Sequence, residues 1–376
     1  MKYFIVAGEQ SGDLHGSNLI KELIKNDQKS EIRCWGGDLM ESAGAKLLIH
    51  YRQTAFMGFV EVAKNLGAIK KFLTLCKKQI NEFCPDVVIL IDYPGFNFRI
   101  AEFARRSGFR VFYYISPKLW AWKEKRVERV RKFVDRMYII FPFEVSFYKK
   151  HGIKVEYRGN PLLDETEKKL MNFPSRDEVR KSLGLGNKPV IALLAGSRKS
   201  EVKQILPRMV KAIHHFTDYQ FVLAGVKNLP DELYLEIIGD NQITVIKDKT
   251  YEVLYISQAA LVKSGTVTLE AALFGIPQVV CFRSDIISII IGWAVIKVKY
   301  ISLVNLIAGY EAVKELIQFS LTEKNLIAEL KAILPGGSKR IRILDDYKKV
   351  REILGPAGAS ERVAADMVQS LKGLKM

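Results

Sequence analysis

One stretch of the sequence combines the residue types that bind a diphosphate beside a sugar. Apolar residues lead into Ser264-Gly265-Thr266, and good helix formers then run to Leu273. Gly265 would let the backbone approach a ligand closely, and the first N–H groups of the helix would point at an anion. Glu270 lies one turn beyond Thr266, so its carboxylate could accept hydrogen bonds from sugar hydroxyls. Alternatively, Ser264 or Thr266 caps the helix and Glu270 complements its dipole.

A second candidate anion site is the run Ala195-Gly196-Ser197-Arg198, which follows another apolar strand pattern. A Gly-Ser turn at a helix start supplies backbone donors, and Arg198 adds a permanent cation for a leaving phosphate. The alternative is structural: Glu201 caps the helix by bonding to Ser197 or Arg198.

Asp92 is the candidate general base. It directly follows the apolar run 87–91, and an acid just beyond the carboxyl end of a buried strand lies where open α/β sheets bind ligands. Burial there would raise the pKa of the carboxyl and make it a better base. Asp92 could instead stabilise a turn ahead of Pro94.

Two further loops carry residues that could contact a substrate. The glycines of the first loop fit neither G-x-G-x-x-G nor a P-loop, so Gly8 and Gly12 would let a substrate lie against the backbone beside Ser11 and Asp13. The alternative is a tight turn that Ser11 and Asp13 cap. The second loop, 113–126, mixes aromatic and cationic residues. It could stack on bases or sugars or contact lipid headgroups, or it could be a strand end followed by a basic helix.

These candidates lie along an alternating pattern of strands and helices. The predicted strands are short and mostly apolar, as a parallel sheet covered on both faces requires. The first set is 3–7, 31–35, 87–91, 111–115 and 137–140, and the second is 190–194, 221–224, 244–246, 260–262 and 279–282. After Ser302 the sequence is predicted to be helical, with helices beginning near Gly309, Thr322, Ser338 and Ser360.

The length of 376 residues suits two domains of moderate size. The two strand sets predict two Rossmann-like, doubly wound parallel-sheet domains that face one cleft. We assign residues 1–164 to the first domain, 165–188 to a connection, 189–345 to the second domain and 346–376 to C-terminal helices.

The charge balance predicts an anionic partner. Lys and Arg number 58 against 41 Asp and Glu, which gives a formal net charge of +17. Nucleic acid, an anionic membrane surface and a phosphorylated substrate all fit this charge. The cations are dispersed and no nucleic-acid motif occurs, so we do not expect nucleic acid to bind. The 4 cysteines are scattered, which predicts neither a zinc site nor a disulfide framework and fits a reducing cytosol.

Two apolar stretches could meet lipid. The first recurs at helical spacing, and most such helices simply pack on a core. Its members are Val62, Leu66, Ile69, Leu73, Cys76 and Ile80. The second, 286–298, is apolar nearly all round, so it is either buried or lies in a membrane interface, and we favour the interface. Neither stretch approaches the ~20 apolar residues that span a bilayer.

Seven motifs occur in the order found in lipid A disaccharide synthases, and together they resemble that family of inverting GT-B glycosyltransferases (family 19) over nearly the whole chain. The motifs are AGEQSGD at 7–13, MGFVEV at 57–62, DYPGFN at 92–97, SPKLWAW at 116–122, GSRKSE at 196–201, SGT at 264–266 with LE at 269–270, and NLIAG at 305–309.

The resemblance implies a hexosyl transfer in lipid A biosynthesis. A 2,3-diacylglucosamine unit would leave UDP and join the 6-hydroxyl of 2,3-diacylglucosamine 1-phosphate (lipid X). Asp92 would be the general base, in an acceptor-side first domain. The UDP-sugar site of the second domain would comprise Arg198, Ser264, Gly265, Thr266, Glu270 and Asn305, with Glu311 as a weaker addition. No Asp-x-Asp occurs in the chain, so we expect neither a metal nor a cofactor, and a helix N-terminus with Arg198 would hold the diphosphate.

The resemblance also implies peripheral attachment to the cytoplasmic face of the inner membrane. Membrane or acyl contacts would involve Val62, Leu66, Ile69, Leu73, Ile287, Ile290, Ile291 and Trp293. The C-terminal helices would return to the first domain or cross to a partner, so that the protein is a monomer or a C-terminally swapped homodimer.

The sequence departs from the family pattern at Asn160, where the family often has His, and at Lys263, where a small residue is usual. An Asn at that position can hydrogen-bond but cannot act as an acid or base near neutral pH. The alternative within the same fold is another UDP-sugar enzyme, either a lipid II-forming glycosyltransferase or a UDP-N-acetylglucosamine 2-epimerase.

Overall fold

The computed structural model describes residues 1–54, 66–121, 124–285 and 298–373. The chain packs as two compact units, Met1–Asp164 with Pro356–Met376 and Glu165–Gly355. The central strands of both units are buried along nearly their whole length. Continuous apolar strands of this kind form where helices cover both faces of a parallel sheet.

The first unit alternates short strands with helices. In chain order its elements are β1 (Lys2–Ala7), α1 (Gln10–Asn26), β2 (Glu31–Gly36), α2 (Asp38–Ser42), β3 (Lys46–His50), α3 (Tyr51–Thr54), α4 (Leu66–Phe83), β4 (Val87–Ile91), α5 (Pro94–Arg106), β5 (Arg110–Tyr114), α6 (Val127–Phe133), β6 (Arg136–Ile139), α7 (Phe143–Lys150), β7 (Glu156–Tyr157) and α8 (Pro161–Asn172). The described strands form one parallel sheet in the order β3-β2-β1-β4-β5-β6-β7.

The second unit begins within α8 and repeats the pattern. Its further elements are α9 (Arg176–Ser182), β8 (Val190–Leu194), α10 (Lys199–Lys211), β9 (Gln220–Gly225), α11 (Asp231–Ile238), β10 (Ile243–Lys247), α12 (Thr250–Ile256), β11 (Ser257–Lys263), α13 (Val267–Leu273), β12 (Gln278–Phe282), α14 (Leu303–Ala308), β13 (Glu315–Ile317), α15 (Glu323–Ile333) and α16 (Arg340–Leu354). The described strands form a second parallel sheet in the order β10-β9-β8-β11-β12-β13.

The last helix belongs to the first unit. Helix α17 (Ala359–Lys372) packs on α1. Asp164 accepts hydrogen bonds from the backbone N–H groups of Gly358, Ala359 and Ser360 at the start of this helix. These bonds satisfy N–H groups that have no partner within the helix.

The strand order reverses at one point in each sheet, and this point fixes where a ligand would bind. In the first unit the reversal lies between the adjacent strands β1 and β4, and in the second unit it lies between β8 and β11. The loops after these strands diverge to opposite faces, which leaves a crevice at the carboxyl edge of an open α/β sheet. The loops beside the crevice carry candidate site residues in both units. They are the loops that begin after β1 and β4 in the first unit and after β8 and β11 in the second unit.

The prediction of two parallel-sheet α/β domains is confirmed, but the prediction that only helices follow Ser302 is wrong, because β13 lies at Glu315–Ile317. Each predicted strand corresponds to a strand of the two sheets, whereas β3, β7 and β13 were not predicted. Strand β13 has three residues, which is too short for a hydrophobic period to emerge. A helix ends rather than begins at Gly309, because this residue adopts a φ of 81° and stops α14.

Candidate active site

Asp92 lies in a strained backbone segment at the carboxyl end of β4. Asp92 and the following Tyr93 both have positive φ angles, 42° and 46°. Non-glycine residues adopt this conformation rarely, and it persists when surrounding contacts hold it. Here the buried amide of Asn97 donates to the carbonyl oxygens of Ile91 (3.1 Å) and Asp92 (2.9 Å), and the hydroxyl of Tyr113 also donates to the Asp92 carbonyl. The fold therefore fixes the direction in which Asp92 leaves the sheet.

The environment of the Asp92 carboxyl raises its pKa to about 6. Burial is the largest cause and the negative charge of Glu9 is the second, while the charge of Lys118 acts in the opposite direction. A carboxyl with this pKa is mostly ionised at neutral pH and is still basic enough to accept a proton from an alcohol in a transition state.

The glycine loop after β1 packs directly against the Asp92 segment. A Cβ atom on Gly8 would lie 2.2 Å from the ring of Tyr93, so only glycine fits beside that ring. Gly12 lies against Ala7, and a Cβ atom on Gly12 would lie 3.1 Å from the Ala7 Cβ. The structure thus brings the first loop and the Asp92 motif together, and Glu9 comes close enough to act on Asp92.

Asp13 and Ser11, predicted as substrate contacts, already have partners within the unit. The buried Asp13 carboxylate accepts hydrogen bonds from the backbone N–H groups of Gly37 (2.7 Å), Leu39 (3.2 Å) and Met40 (3.1 Å) at the start of α2. The hydroxyl of Ser11 is exposed and donates to Glu9. Asp13 is thus a capping residue, as in the structural alternative, but it caps a helix other than its own.

The loop after β5 brings Lys118 near Asp92. Trp120 of the same loop donates its indole N–H to Glu144, a buried acid that also accepts from two backbone N–H groups at the start of α7. Burial raises the pKa of Glu144 to about 7.

Asn160, where the family often has His, is fully buried. Its amide donates to the Ile140 carbonyl and its oxygen accepts from the Leu162 N–H, so its side chain holds the backbone in place.

In the second unit, Glu201 contacts both segments that were predicted to bind the nucleotide, the loop after β8 and the end of β11 before the turn 264–266. Its Oε2 atom accepts hydrogen bonds from the backbone N–H groups of Ser197 (3.2 Å) and Arg198 (3.3 Å). Its Oε1 atom lies 2.8 Å from Nζ of Lys263, at the end of β11. Arg198 is exposed, and no ion pair among the described residues occupies its guanidinium. The structure therefore leaves Arg198 open to an anion beside the turn at 264–266.

At that turn, the two hydroxyl residues predicted as alternative caps make no cap bond to α13. Ser264 is buried and donates to the carbonyl of Ile301, while Thr266 is exposed. Glu270 accepts a hydrogen bond from Tyr251 at 3.3 Å. Burial raises the pKa of Glu270 to about 7, against the lowering effect of that bond, and Glu165 adds to the rise.

Asn305 has a structural role that the sequence did not indicate. It is fully buried; its amide donates to the Val313 carbonyl (2.9 Å) and to Glu315 (2.8 Å), and its oxygen accepts from the Val313 N–H (2.9 Å). These bonds use both amide protons of Asn305. The contact between Asn305 and the nucleotide therefore stays a prediction, and the geometry of this side chain does not support it. Glu311 pairs with Lys314 at 3.0 Å.

The predicted lipid contacts are described only in part. Leu73 packs against the core of the first unit, as in the core-packing alternative, and Ile69 is half-buried on α4. Val62, the motif at 57–62, Trp122, Ile287, Ile290, Ile291, Trp293 and the side chain of Leu66 lie outside the described residues. None of the helices in the described part of the chain has the length and apolar character to cross a bilayer. Within the same ranges, no group of three or more His, Cys, Asp or Glu could hold a metal ion.

Comparison with known proteins decides the family. A model of the family described as lipid-A-disaccharide synthetase matches residues 3–367. The chain belongs to this family. A lipid-A-disaccharide synthase of Geobacter metallireducens is 37% identical to it over 377 residues, covering 98% of this chain and 97% of the relative. One of Syntrophus aciditrophicus is 38% identical over 376 residues, with the same coverage.

Solved structures with the same fold as this family member include nucleotide-sugar enzymes. The UDP co-structure of MnaA from S. aureus superposes with a TM-score of 0.71 at 17% identity, covering 100% of this chain and 98% of that chain. The calicheamicin glycosyltransferase CalG4 superposes with a TM-score of 0.60 at 14% identity, covering 99% and 98%. At these identities the likeness concerns the fold, and it supports the GT-B assignment.

Three residues near the candidate site of this synthase family member were not identified from sequence as site residues. They are Glu9, which acts on Asp92, Lys263, which pairs with Glu201, and Glu315, which accepts from the N–H groups of Ile301 and Ser302. Glu9 lies inside the motif at 7–13, so an acidic residue next to Gly8 could have been recognised from the sequence as a site residue. Lys263 stands where the family usually has a small residue, which was a signal, but its partner Glu201 is distant in sequence. Glu315 carries no such signal.

Proposed function

We propose that this protein is a lipid-A-disaccharide synthase. In this reaction 2,3-diacylglucosamine passes from UDP to the 6-hydroxyl of 2,3-diacylglucosamine 1-phosphate, and the products are the β-1′,6-linked disaccharide 1-phosphate and UDP. The observation that carries the proposal is the family match over residues 3–367.

In the proposed mechanism, Asp92 accepts the proton of the 6-hydroxyl. The acceptor oxygen then attacks C1 of the donor sugar from the face opposite UDP, the bond from C1 to the diphosphate oxygen breaks, and the configuration at C1 inverts. The assignment of Asp92 is supported by its position after β4 at the strand-order reversal and by its pKa of about 6.

The second unit is proposed to hold UDP. Arg198 and the backbone N–H groups of the turn 264–266 would stabilise the charge that develops on the leaving diphosphate. This assignment is supported by the exposed guanidinium of Arg198 and by the position of both loops beside the strand-order reversal between β8 and β11. Glu270 would accept hydrogen bonds from hydroxyls of the donor.

Purified protein should therefore convert UDP-2,3-diacylglucosamine and lipid X to UDP and the disaccharide 1-phosphate. Asp92→Asn should lower kcat by at least about 100-fold, because the amide cannot accept the proton, while UDP binding measured by calorimetry persists. Glu128→Gln, which removes an exposed carboxylate paired with Arg131, is the matched control and should retain activity. A near-normal rate in Asp92→Asn would refute the assignment of the base.

The epimerase alternative has less support. A UDP-N-acetylglucosamine 2-epimerase of Neisseria meningitidis, solved with UDP-GlcNAc, is 15% identical to this chain, whereas the two synthases named above are 37% and 38% identical. We expect no 2-epimer when the protein is incubated with UDP-N-acetylglucosamine alone.

We also propose that the protein associates peripherally with an anionic surface on the cytoplasmic face of the inner membrane. The proposal is supported by the net charge of +17 and by a surface depression on α4 lined by Lys70, Lys71 and Lys78. Co-sedimentation should be stronger with anionic than with neutral vesicles and should weaken with salt. We also propose that the protein is a monomer rather than a C-terminally swapped homodimer, so that α17 covers α1 of its own chain. Light scattering at the mass of one chain would support this proposal, and the mass of two chains would favour the swapped dimer.

A further inference from the structure

The Lys263–Glu201 ion pair connects the ends of two neighbouring strand-to-helix segments in the second unit. Lys263 is the last residue of β11, and Glu201 lies in the first turn of α10, which follows the neighbouring strand β8. The two side chains are 20% and 17% exposed, and their charged atoms lie 2.8 Å apart. An ion pair that is this shielded from solvent keeps more of its attraction than a surface pair does.

Glu201 controls the loop that carries Arg198. One carboxylate oxygen holds the N–H groups of Ser197 and Arg198, and the other oxygen faces Lys263. The loop folds closely over this carboxylate, because Gly196 has a φ of 112° and a Cβ there would lie 2.6 Å from Glu201 Oε2. The orientation of Arg198 thus depends on where the Glu201 carboxylate is held.

Lys263 is the link from this loop to the turn at 264–266. It directly precedes that turn in sequence, and a Cβ on Gly265 would lie 4.0 Å from Lys263 Nζ. The ammonium group is therefore close to both the Glu201 carboxylate and the turn. Burial acts to raise the pKa of Glu201. The hydrogen bond and charge of Lys263, the charge of Arg198 and the hydrogen bond from the Ser197 N–H together outweigh burial and lower that pKa, so the carboxylate stays ionised.

We propose that Lys263 and Glu201 are positioning residues for nucleotide binding, which hold the Arg198 loop at a fixed place relative to the turn 264–266. The inference rests on the proposed function, in which these two loops bind UDP. Neither residue needs to touch the nucleotide, because the pair acts through the backbone N–H groups of Ser197 and Arg198.

The test is a double-mutant cycle on UDP affinity. Lys263→Met and Glu201→Gln should each weaken UDP binding about tenfold, and the double variant should be no weaker than either single variant, because both changes remove one coupled interaction. Both variants should lower kcat/KM for the UDP-sugar by at least about tenfold, through a higher KM and also a lower kcat, because Arg198 stabilises charge that develops as the diphosphate leaves. Lys263→Arg should restore most of the affinity.

Lys339→Met is the matched control, because Lys339 pairs with Glu329 at 2.6 Å elsewhere in the same unit. It should lower the Tm without changing the UDP affinity. Additive effects of Lys263→Met and Glu201→Gln would overturn the proposal in favour of a direct contact between Lys263 and the diphosphate. An unchanged affinity with a lowered Tm would overturn it in favour of a purely structural pair.

Hydrogen exchange of the free protein separates this proposal from the proposed function. If the wild type fails to bind UDP, the proposed function fails, but the pair can still be tested. Lys263→Met should speed exchange of the Ser197 and Arg198 backbone amides about tenfold, because Glu201 is then held less firmly. Unchanged exchange in that variant would contradict the positioning role whether or not UDP binds.

Discussion

The chemistry of the first unit depends on how neighbouring charges act on one carboxyl. Glu9 and Lys118 come from loops after two different strands, β1 and β5, and they act on Asp92 in opposite directions. Because burial already raises the pKa of Asp92, these two charges tune a value that is close to the working range of a base.

The pH profile of turnover should report this tuning. The rising limb of kcat/KM should have a midpoint near the Asp92 pKa of about 6. Glu9→Gln should move the limb about half a unit to lower pH, because a negative charge that favours protonation is removed. Lys118→Met should move it by a similar amount to higher pH. Initial rates of UDP release measured from acidic to mildly alkaline pH report both shifts, and shifts of the same sign would contradict the assignment.

The ionised Asp92 should also destabilise the folded protein. Its pKa is 3.8 in an ordinary setting and about 6 in the fold, so wild-type stability falls as pH rises from about 4 to 6 and stays reduced above that range. Asp92→Asn removes the charge, and asparagine tolerates a positive φ. The variant should therefore unfold about 3 °C above the wild type at about pH 8 and much closer to it at about pH 4.5.

Thermal scans at the two pH values test this effect. Asp345→Asn, which removes an exposed carboxylate paired with Lys348, is the control and should shift the Tm by less than about 1 °C. A lower Tm for Asp92→Asn at the higher pH would show that the carboxylate stabilises the fold.

At the scale of single elements, helix α2 depends on a residue of α1. This five-residue helix has no cap bond from its own N-cap residue, Gly37. Asp13 supplies the missing acceptor for three backbone N–H groups, so the first helix of the unit positions the second.

Asp13→Ala should lower the free energy of unfolding by about 2 kcal/mol, because it removes a cap and leaves buried N–H groups without an acceptor. Ser11→Ala, which deletes an exposed hydroxyl from the same loop, should change it by less than about 0.5 kcal/mol. Urea unfolding of both variants measures the difference. A loss in Asp13→Ala no larger than that of the control would mean that α2 does not need this cap.

The elements of the core could be predicted because their apolar runs are local. The position of Asp92 could be predicted for the same reason, because the apolar strand β4 and the acid that follows it are consecutive residues. Strands β3, β7 and β13 were missed. Each lies at an edge of its sheet, where one side of the strand is unpaired and the apolar pattern is weak, and β7 and β13 are also only two and three residues long.

The site could be predicted less completely, because its supporting contacts join residues far apart in the chain. The partners of Asp13 lie on another element, and the pairing of Lys263 with Glu201 depends on the adjacency of β8 and β11. Asn305 was predicted at the nucleotide because its motif occurs in the family, but its hydrogen bonds to Val313 and Glu315 become visible only when the chain is folded.

At the scale of the whole molecule, one carboxylate ties the end of the chain to the first sheet. Asp366 of α17 accepts hydrogen bonds from Arg136 (2.6 Å), Arg158 (2.8 Å) and Tyr138 (2.8 Å). Burial acts to raise its pKa, but these bonds and the two guanidinium charges outweigh burial and lower it. The network therefore stabilises the fold when Asp366 is ionised.

Asp366→Asn should lower the free energy of unfolding by about 2 kcal/mol at about pH 7. Because the wild-type pKa lies below the ordinary 3.8, this contribution is present above about pH 4 and is lost as the pH falls through the lowered value. Urea unfolding at about pH 7 and about pH 3 should show the larger difference at the higher pH. Glu128→Gln serves as an exposed control in the same unit, and an equal loss in both variants would contradict the role of Asp366.

The split composition of the first unit affects how the protein is made. A ribosome delivers Met1–Asp164 first, then all of Glu165–Gly355, and the segment from Pro356 last. Until then, the surface of α1 on which α17 packs has no cover from its own chain. The first unit is therefore incomplete while the second unit is being synthesised and folds. We expect chaperones to bind the nascent first unit at the uncovered surface of α1.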